Sequence, residues 1–398
     1  MNSFAFWCRS KEGKRGCDDG VPCVKAMVNI NLWIKDDASL RRDSATAFDF
    51  GVMLSLSAPA RGVATNVGNV CEGGRDGAAK GAATILDDVD GISLYCPFEI
   101  EEKSFSDLMP RLNKETLGAI FNDRCRVSEV DFTSRYVEVH LSKDKENDPF
   151  YLLSCEDLEF HKCDEEEATI INVNFPRIAR DVREGARRVY VRFRILIDRN
   201  SGLIKRSDSR DRLFTSAFSS EETIDLRIND YRTLNEKMRE KVDGSCCGVC
   251  DTRIVAVHTL LMARTSVAVE SFERLHEKRL LEGKNVWGNY LPEGLSCPDV
   301  VAWHWKKEYT NPADGYKMYL KLSFSVCNWS TIALYLLFLT SFSIGINAFT
   351  NILCGPNGTY SAQVSLGCFA LCVILGYVYI KPKKRANKFL QTRRNGNL

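Results

Sequence analysis

The stretch RRVYVRFRILI, residues 187–197, alternates between two kinds of side chain. Every second residue from Val189 to Ile197 is apolar, and the residues between them include Arg192 and Arg194. A period of two, with one apolar face and one charged face, is typical of a strand that covers a core on one side of an antiparallel sheet. The stretch therefore predicts a β-rich fold with Arg192 and Arg194 on the outer face.

Similar strand patterns recur on both sides of this stretch, in MVNINLWI, FDFGVMLSLS, GISLYCPFEI, RYVEVHLS and ATIINVNF. Since no regular helical segments separate them, we predict an α+β protein in which residues 25–228 form a sandwich- or barrel-like β-rich domain. Residues 1–24 are polar and are predicted to form a loose arm. Residues 58–84 are rich in Gly and Ala and are predicted to be a flexible insertion.

Residues 229–321 are predicted to be a helical connector and juxtamembrane region. Asn229 or Asp230 is suited to cap a helix over YRTLNEKMREKV, and Ser271 is suited to cap an amphipathic helix over SFERLHEKRLLEGK. The apolar run RIVAVHTLLMARTSVAVE is consistent with a buried strand or a helix, because its periodicity does not decide between them.

The C-terminal part contains no Asp, Glu, Lys, Arg or His from Leu322 to Ile380, in a chain that is 27% charged. It includes two stretches, near 329–349 and 362–380, that reach the length of about 20 apolar residues needed to cross a bilayer. We therefore predict a two-helix transmembrane hairpin in residues 322–380. The alternative is a buried helical hairpin in a soluble core, but core helices usually carry a polar face.

The charges beside these stretches predict an orientation in the membrane. Lysines precede the first stretch, and the tail 381–398 is basic. The positive-inside rule places both termini in the cytoplasm, at an inner or plasma membrane. Only Phe4 to Trp7 are continuously apolar near the N-terminus, so we expect no signal peptide. The 16 cysteines are then expected to be reduced thiols.

Small and polar residues recur at spacings of three and four in both apolar stretches. Such residues allow helices to approach closely in lipid. One interpretation is that the two helices pack together as an anchor, and the other is that several copies form a homo-oligomeric pore. The residues concerned are Ser341, Gly345, Asn347, Ser365, Cys368, Cys372 and Gly376.

Seven arginines occur between Arg177 and Arg194. Arginine presents a planar fork that suits bidentate contacts with phosphate or carboxylate. The sequence therefore predicts a site for a small anionic ligand such as a nucleotide. The alternative is a solvated sheet face whose arginines pair with acidic residues elsewhere. The candidate ligand-binding residues are Arg187, Arg188, Arg192 and Arg194.

Other chemistry is weakly indicated. Cys247 and Cys250 have the spacing of half a zinc site, but no second pair has matching spacing, so we predict thiols and no metal or cofactor. Hydrolase, Walker, zincin and Rossmann motifs are absent from the sequence, which favours a binding role over an enzyme. The net charge of +2 gives no reason to expect binding to duplex nucleic acid.

These patterns lead to a ranked set of functional hypotheses. The first is a membrane-anchored sensor or effector whose β-rich domain binds an anionic ligand or partner and controls the helix pair. This plan resembles that of several bacterial immune effectors, which damage the membrane after binding a nucleotide messenger. The second is a tethered scaffold or binding module whose helices are only an anchor. The third is an unrecognised membrane-tethered enzyme.

Overall fold

The structure of the chain is a computed structural model, and it is a mixed α+β fold that is 49% strand. The residues that it describes are 3–11, 23–34, 46–56, 84–128, 135–143, 149–163, 167–177, 186–197, 202–207, 219–246, 248–292, 295, 297–310, 315–325, 329–354 and 358–380. The predicted tail 381–398 lies outside them, as does the predicted insertion 58–84 except for its last residue.

The strands of the described residues are β1 (Ala5–Ser10), β2 (Val24–Trp33), β3 (Thr46–Leu56), β4 (Val89–Cys96), β5 (Phe105–Asp107), β6 (Cys125–Val127), β7 (Tyr136–Leu141), β8 (Phe150–Leu153), β9 (Leu158–Cys163), β10 (Ala168–Asn174), β11 (Arg188–Ile197), β12 (Ile204–Ser207), β13 (Ser219–Ile228), β14 (Thr252–Arg264), β15 (Ala268–Ser271), β16 (Glu277–Leu280), β17 (Val300–Glu308) and β18 (Tyr316–Ser325). The α-helices are α1 (Ile85–Asp88), α2 (Lys114–Phe121), α3 (Glu236–Val242), α4 (Lys284–Trp287), α5 (Trp329–Cys354) and α6 (Gly358–Ile380).

The described strands form three sheets. The largest has ten strands, in the order β16-β17-β14-β2-β3-β11-β8-β7-β6, with β5 also paired to β11. The two smaller sheets have the orders β1-β4-β10-β9 and β12-β13-β18-β15. The large sheet is mixed, because β14 runs parallel to β2 and β11 runs parallel to β8, whereas β2, β3 and β11 are antiparallel.

Aromatic side chains fill the space on one face of the large sheet. Phe4 stacks on Phe48 of β3 at a centroid distance of 5.2 Å, and Phe6 of β1 lies 5.9 Å from Phe50 of β3. Because successive strand residues point to opposite faces, the residues between these phenylalanines point the other way. Asp49 and Gly51 of β3 therefore share the second face of the sheet.

The second face is also covered. Trp287 and Tyr290, at and just after the end of α4, pack on Trp33 of β2 at ring distances of 5.9 and 6.1 Å. Leu117 of α2 is buried in the same layer, against Val137 of β7 and its neighbours. The prediction of a solvent-exposed face on this sheet is therefore wrong, because two segments distant in sequence lie over it.

The predicted helical connector differs most from the structure. Residues 252–325 contain strands β14 to β18, and the segment predicted as a helix capped by Ser271 contains the end of β15 and all of β16. The apolar run whose periodicity left strand and helix open contains nearly all of β14, which pairs with β2 and β17. The helix predicted just after residue 229 is shorter than expected, and its cap is Asn235, whose Oδ1 accepts from the Met238 amide at 2.9 Å.

The first residues also differ from the prediction of a loose arm. Residues 3–11 contain β1, which pairs along its length with β4. Phe4, Phe6 and Trp7 are all at most 3% exposed. Burying these three aromatic side chains favours ordering of this segment.

The chain divides into two compact units. One comprises Met1–Lys205 and Glu222–Leu322, and the other comprises Arg206–Glu221 and Ser323–Leu398. In the second unit, α5 and α6 pack on each other, with Phe342 and Phe369 in an edge-to-face contact at 6.2 Å. Among the described residues, one helical stretch is long and apolar enough to span a membrane, Tyr335–Leu353, and a shorter apolar stretch covers Ala362–Ile374.

Candidate functional site

Arg192 and Arg194 lie inside the first unit. In the register of the large sheet, Arg192 is opposite Gly51 and Arg194 is opposite Asp49. The side chains of Arg192 and Arg194 are 0% and 3% exposed. The two guanidinium groups therefore belong to a buried polar network and not to a solvated face.

Asp49 is the acceptor at the centre of this network. Its Oδ1 accepts from Arg194 Nε at 2.5 Å, and its Oδ2 accepts from Arg194 Nη2 at 2.9 Å. The same Oδ2 accepts from Trp33 Nε1 at 2.7 Å and from the Tyr290 hydroxyl at 2.8 Å. These four bonds compensate for the complete burial of the carboxylate, since charge-assisted hydrogen bonds are stronger than neutral ones.

Arg192 is held by two tyrosines. Its Nε donates to the Tyr290 hydroxyl at 2.5 Å, and its Nη1 donates to the Tyr190 hydroxyl at 2.8 Å. Gly51 makes room for this arrangement, since a Cβ there would lie 2.3 Å from the Tyr190 hydroxyl and 2.7 Å from Arg192 Nη1. A residue larger than glycine at position 51 would displace the network.

The network carries one more positive charge than negative charge. Burial opposes the charged form of both arginines, but the interactions with Asp49 and the tyrosines outweigh it, so the pKa of Arg192 and that of Arg194 are raised. Burial raises the pKa of Tyr190 and Tyr290, so both stay neutral. The Tyr290 ring lies 5.6 Å from the Arg192 guanidinium carbon and 5.1 Å from that of Arg194, which stabilises the cations electrostatically.

The other two predicted arginines lie apart from this network. Arg187 is exposed just before β11, and Arg188 is half-buried at its first position, opposite Ser55. The structure therefore separates the four candidate residues into a buried pair and a pair at the start of the strand. Sequence analysis missed Asp49, Trp33 and Tyr290, for which the available signal was an acidic residue between two phenylalanines in a strand.

A groove opens beside α2, at the end of the large sheet. It has a volume of about 630 Å³ and lies between residues 109–117 on one side and strands β7 and β8 on the other. Its floor is apolar and includes Leu117, Val137 and Leu152, while Arg111 and Arg135 lie among the charged residues at its margin. The sequence does not reveal this groove, because its walls come from separate elements that only the folded chain brings together.

Some of the residues predicted to pack in the membrane lie at the contact between α5 and α6, and others do not. Ser365 Oγ donates to the Gly345 carbonyl at 3.2 Å, and a Cβ on Gly345 would lie 3.4 Å from Cys368 Cβ. Cys372 Sγ lies 3.8 Å from the Phe338 carbonyl oxygen across the same contact. Ser341 is also buried, but Asn347 is exposed. Gly376 lies in α6, and the packing around it is outside the described part of the structure.

Three of the five histidines come together, which sequence analysis also missed. His258 Nδ1 and His304 Nε2 are 3.1 Å apart, and the His276 ring lies 5.1 Å from that of His304. Burial, assisted by Lys306, lowers the pKa of His258 to about 4. Burial, assisted by the other two histidines, lowers the pKa of His304 to about 4. Both rings are therefore neutral at physiological pH.

The cysteine pair stays a prediction. Cys250 is buried, with its Sγ 3.9 Å from the Asp88 carbonyl oxygen, and Cys247 lies outside the described residues. Among the residues that the structure describes, no three His, Cys, Asp or Glu side chains are grouped so that they could hold a metal ion.

Comparisons with known proteins give no family. No family model matches the sequence, and no curated protein matches it. Among solved structures, the chain is similar to a mutant M1 zinc metallopeptidase from Deinococcus radiodurans bound to a Tyr-Ser-Ala substrate, with 8% identity and a TM-score of 0.22. The match covers 75% of this chain and 42% of the metallopeptidase chain, and a likeness at this TM-score carries no argument about fold or activity.

Proposed function

We propose that this chain is a membrane-anchored binding protein. In this proposal, α5 and α6 cross the bilayer as a hairpin, and the strand-rich unit binds an anionic ligand or a partner in the cytoplasm. The observation that carries the proposal is the distribution of side chains on the helix pair. Small residues lie between the helices, and large apolar residues point outward.

The outward side chains are unusually apolar for a protein surface in water. Those that are more than one third exposed include Leu336, Leu337, Leu339, Ile344, Ile346, Phe349, Leu353, Leu366, Leu371, Val373 and Ile374. Exposing such a continuous surface to water is unfavourable by about 25 cal/mol per Å² of apolar area, whereas lipid removes that cost. Lipid is therefore the solvent that suits this unit.

Length supports a crossing by both helices. At about 1.5 Å per residue, the 26 residues of α5 and the 23 residues of α6 exceed the hydrocarbon thickness of about 30 Å. Serine and cysteine at the contact bond to backbone carbonyls of the facing helix, as expected for helices that associate without a hydrophobic driving force. The basic residues on both sides support cytoplasmic termini.

Because Arg192 and Arg194 are buried, the residues expected to contact a ligand differ from those predicted from the sequence. Charge reversal at these positions is now expected to unfold the unit and not simply to abolish ligand binding. A ligand that enters from solvent must therefore contact other residues. Accessible candidates include Arg187, the groove beside α2 and a pocket of about 550 Å³ whose lining includes Arg9, Lys11 and Arg177.

A second candidate function, an oligomeric pore, is favoured by one specific observation. Ser343 and Asn347 are one helical turn apart on α5 and are exposed, while Ser341 and Gly345 face α6. Thr340 also points outward, but its hydroxyl bonds to the Leu336 carbonyl of its own helix at 3.0 Å. An asparagine amide facing lipid gains by hydrogen bonding to another helix, which supports association of several copies.

Membrane fractionation tests the anchor. The full chain is expected to stay in the membrane pellet after washing with alkaline carbonate, and a chain ending at Leu322 is expected in the supernatant. Full-length protein that carbonate releases would contradict the proposal. Dye release from proteoliposomes tests the pore, and Asn347→Leu is expected to abolish leakage while Thr350→Val, at an exposed threonine whose hydroxyl bonds to the Ile346 carbonyl of its own helix, is not.

A further inference from the structure

The groove beside α2 has the shape of a ligand site. Its volume of about 630 Å³ falls in the range of about 300–1,000 Å³ that is usual for pockets that bury small molecules. One wall is the turn and first residues of α2, and the other is formed by β7 and β8. Helix α2 and strands β7 and β8 supply the regular elements of these walls.

The floor of the groove is aliphatic. Leu117, Val137 and Leu152 are each at most 6% exposed, and they belong to one core cluster that also contains Phe150. Leu112 is half-buried and packs on the same cluster. The half-buried Met109, Leu112 and Val127 provide the accessible apolar surface beside this floor, and an apolar ligand segment placed here would remove that surface from water.

Among the described residues, three cations and two carboxylates lie at the margin of the groove. Arg111, Lys114 and Arg135 line it together with Glu115 and Glu156. Two of these cations have carboxylate neighbours at long distances, 3.5 Å for Lys114–Glu115 and 3.8 Å for Arg135–Glu156. Arg111 is exposed, and no hydrogen bond or ion pair joins its guanidinium to the described residues. It is therefore available to bind an anionic group.

We propose that this groove binds a small amphipathic anion, with an aliphatic chain on the Leu117 floor and a single carboxylate or phosphate at Arg111. The proposal rests on the binding role inferred for the strand-rich unit. A guanidinium fork matches both head groups, and the aliphatic floor gives a chain the partner that a purely polar anion lacks. A nucleotide fits less well, because the described side chains that line the groove include no aromatic ring on which a base could stack.

The test is calorimetric titration of the full chain in lipid nanodiscs with octanoate, after subtraction of titrations into empty nanodiscs. Octylamine has the same chain with a positive charge, and acetate has the same head group without the chain. Octanoate is expected to bind, and the other two are expected not to bind. Arg111→Glu is expected to weaken octanoate binding by about tenfold or more, whereas Arg274→Glu, at another exposed arginine, is expected to leave it unchanged.

A second variant tests the floor without altering charge. Val127 is half-buried at the side of the groove, and Val127→Trp is expected to abolish octanoate binding by filling the space. The proposal would be overturned if Arg111→Glu and Val127→Trp bound octanoate as tightly as the wild-type chain does. It would also be overturned if octylamine bound to the wild-type chain as tightly as octanoate. Binding of adenosine monophosphate in place of octanoate would also overturn it. Membrane insertion is measured on the same samples, so failure of the groove is distinguished from failure of the anchor.

Discussion

Arg194 and Asp49 face each other on β11 and β3 and are joined by two hydrogen bonds of 2.5 and 2.9 Å, with neither side chain more than 3% exposed. Asp49 also accepts hydrogen bonds from Trp33 and Tyr290. The pair therefore connects the large sheet to the segment that covers it. Disrupting the pair should loosen that cover as well as remove one ion pair.

Asp49→Asn should be strongly destabilising, because it leaves two buried guanidinium groups without a counter-charge. We expect the free energy of unfolding to fall by about 3–5 kcal/mol. Denaturant titration followed by tryptophan fluorescence measures this, since Trp33 lies in the network. Asp251→Asn is the matched control, because Asp251 pairs with Arg253 at the surface, and its effect should stay below about 1 kcal/mol. Similar losses in the two variants would contradict a central role for Asp49.

Gly51→Ala tests the close approach of Tyr190 to β3. The added Cβ would overlap the Tyr190 hydroxyl at 2.3 Å, so we expect a loss of about 1–3 kcal/mol in the free energy of unfolding. Tyr190→Phe removes the overlapping oxygen. In a double-mutant cycle, Gly51→Ala should therefore cost less in the Tyr190→Phe background than in the wild type. Additive losses would show that the tyrosine hydroxyl is not the obstacle.

The histidine cluster predicts a loss of stability in acid. Burial lowers the pKa of His258 and His304 from the usual 6.5 to about 4, so the unfolded chain binds more protons than the folded chain between these values. Stability is therefore highest above pH 6.5 and falls as the pH decreases towards about 4, with a slope of up to about 1.4 kcal/mol per pH unit for each histidine. Lys306 and Arg279 oppose protonation of the pair, and Glu308 favours it for His258.

Denaturant titrations across this pH range measure the effect. His304→Gln should flatten the profile, because it removes one of the two buried groups. His161→Gln changes an exposed histidine on β9 and should leave the profile as it is. A wild-type slope that neither variant alters would assign the acid sensitivity to other groups.

Gly345→Cys should form a disulfide bond with the native Cys368 under mild oxidation. The two Cβ atoms would be 3.4 Å apart, close to the usual disulfide range of about 3.5–4.5 Å. Mass spectrometry of the cross-linked peptides in membranes identifies the bond among the other cysteines. Asn347→Cys, at an exposed position of α5, should not cross-link within the chain, although cross-links between chains at this position would favour the oligomeric candidate. Failure of the Gly345→Cys variant to cross-link to Cys368 would contradict the packing of the hairpin.

The strand at residues 187–197 could be predicted from its sequence, but the environment of its arginines could not. A period of two identifies a strand and its two faces, and a charged face is normally exposed to solvent. Here the partners of Arg192 and Arg194 come from Asp49, about 145 residues earlier, and from Tyr290, about 96 residues later. No local pattern reports such a contact, because it depends on which segments cover the sheet.

In the region after residue 250, the secondary structure itself could not be predicted from the local sequence. The periodicity of its apolar run is consistent with a strand or a helix, and this run contains nearly all of β14, which lies between β2 and β17 in the middle of the large sheet. Pairing with β2, more than 200 residues away, decides in favour of a strand in such a position. The helices α5 and α6, by contrast, were predicted correctly as helices, because the local sequence alone indicates a helix in a long, unbroken apolar stretch.

The position of β14 also bears on how the polypeptide is made. Its parallel neighbour β2 leaves the ribosome more than 220 residues before β14 does, and until then one edge of β2 lacks its hydrogen-bonding partner. Nascent chains arrested before residue 264 should therefore expose the unpaired edge of β2 and bind chaperones. Once β14 is released from the ribosome, it can pair with this edge and complete the sheet.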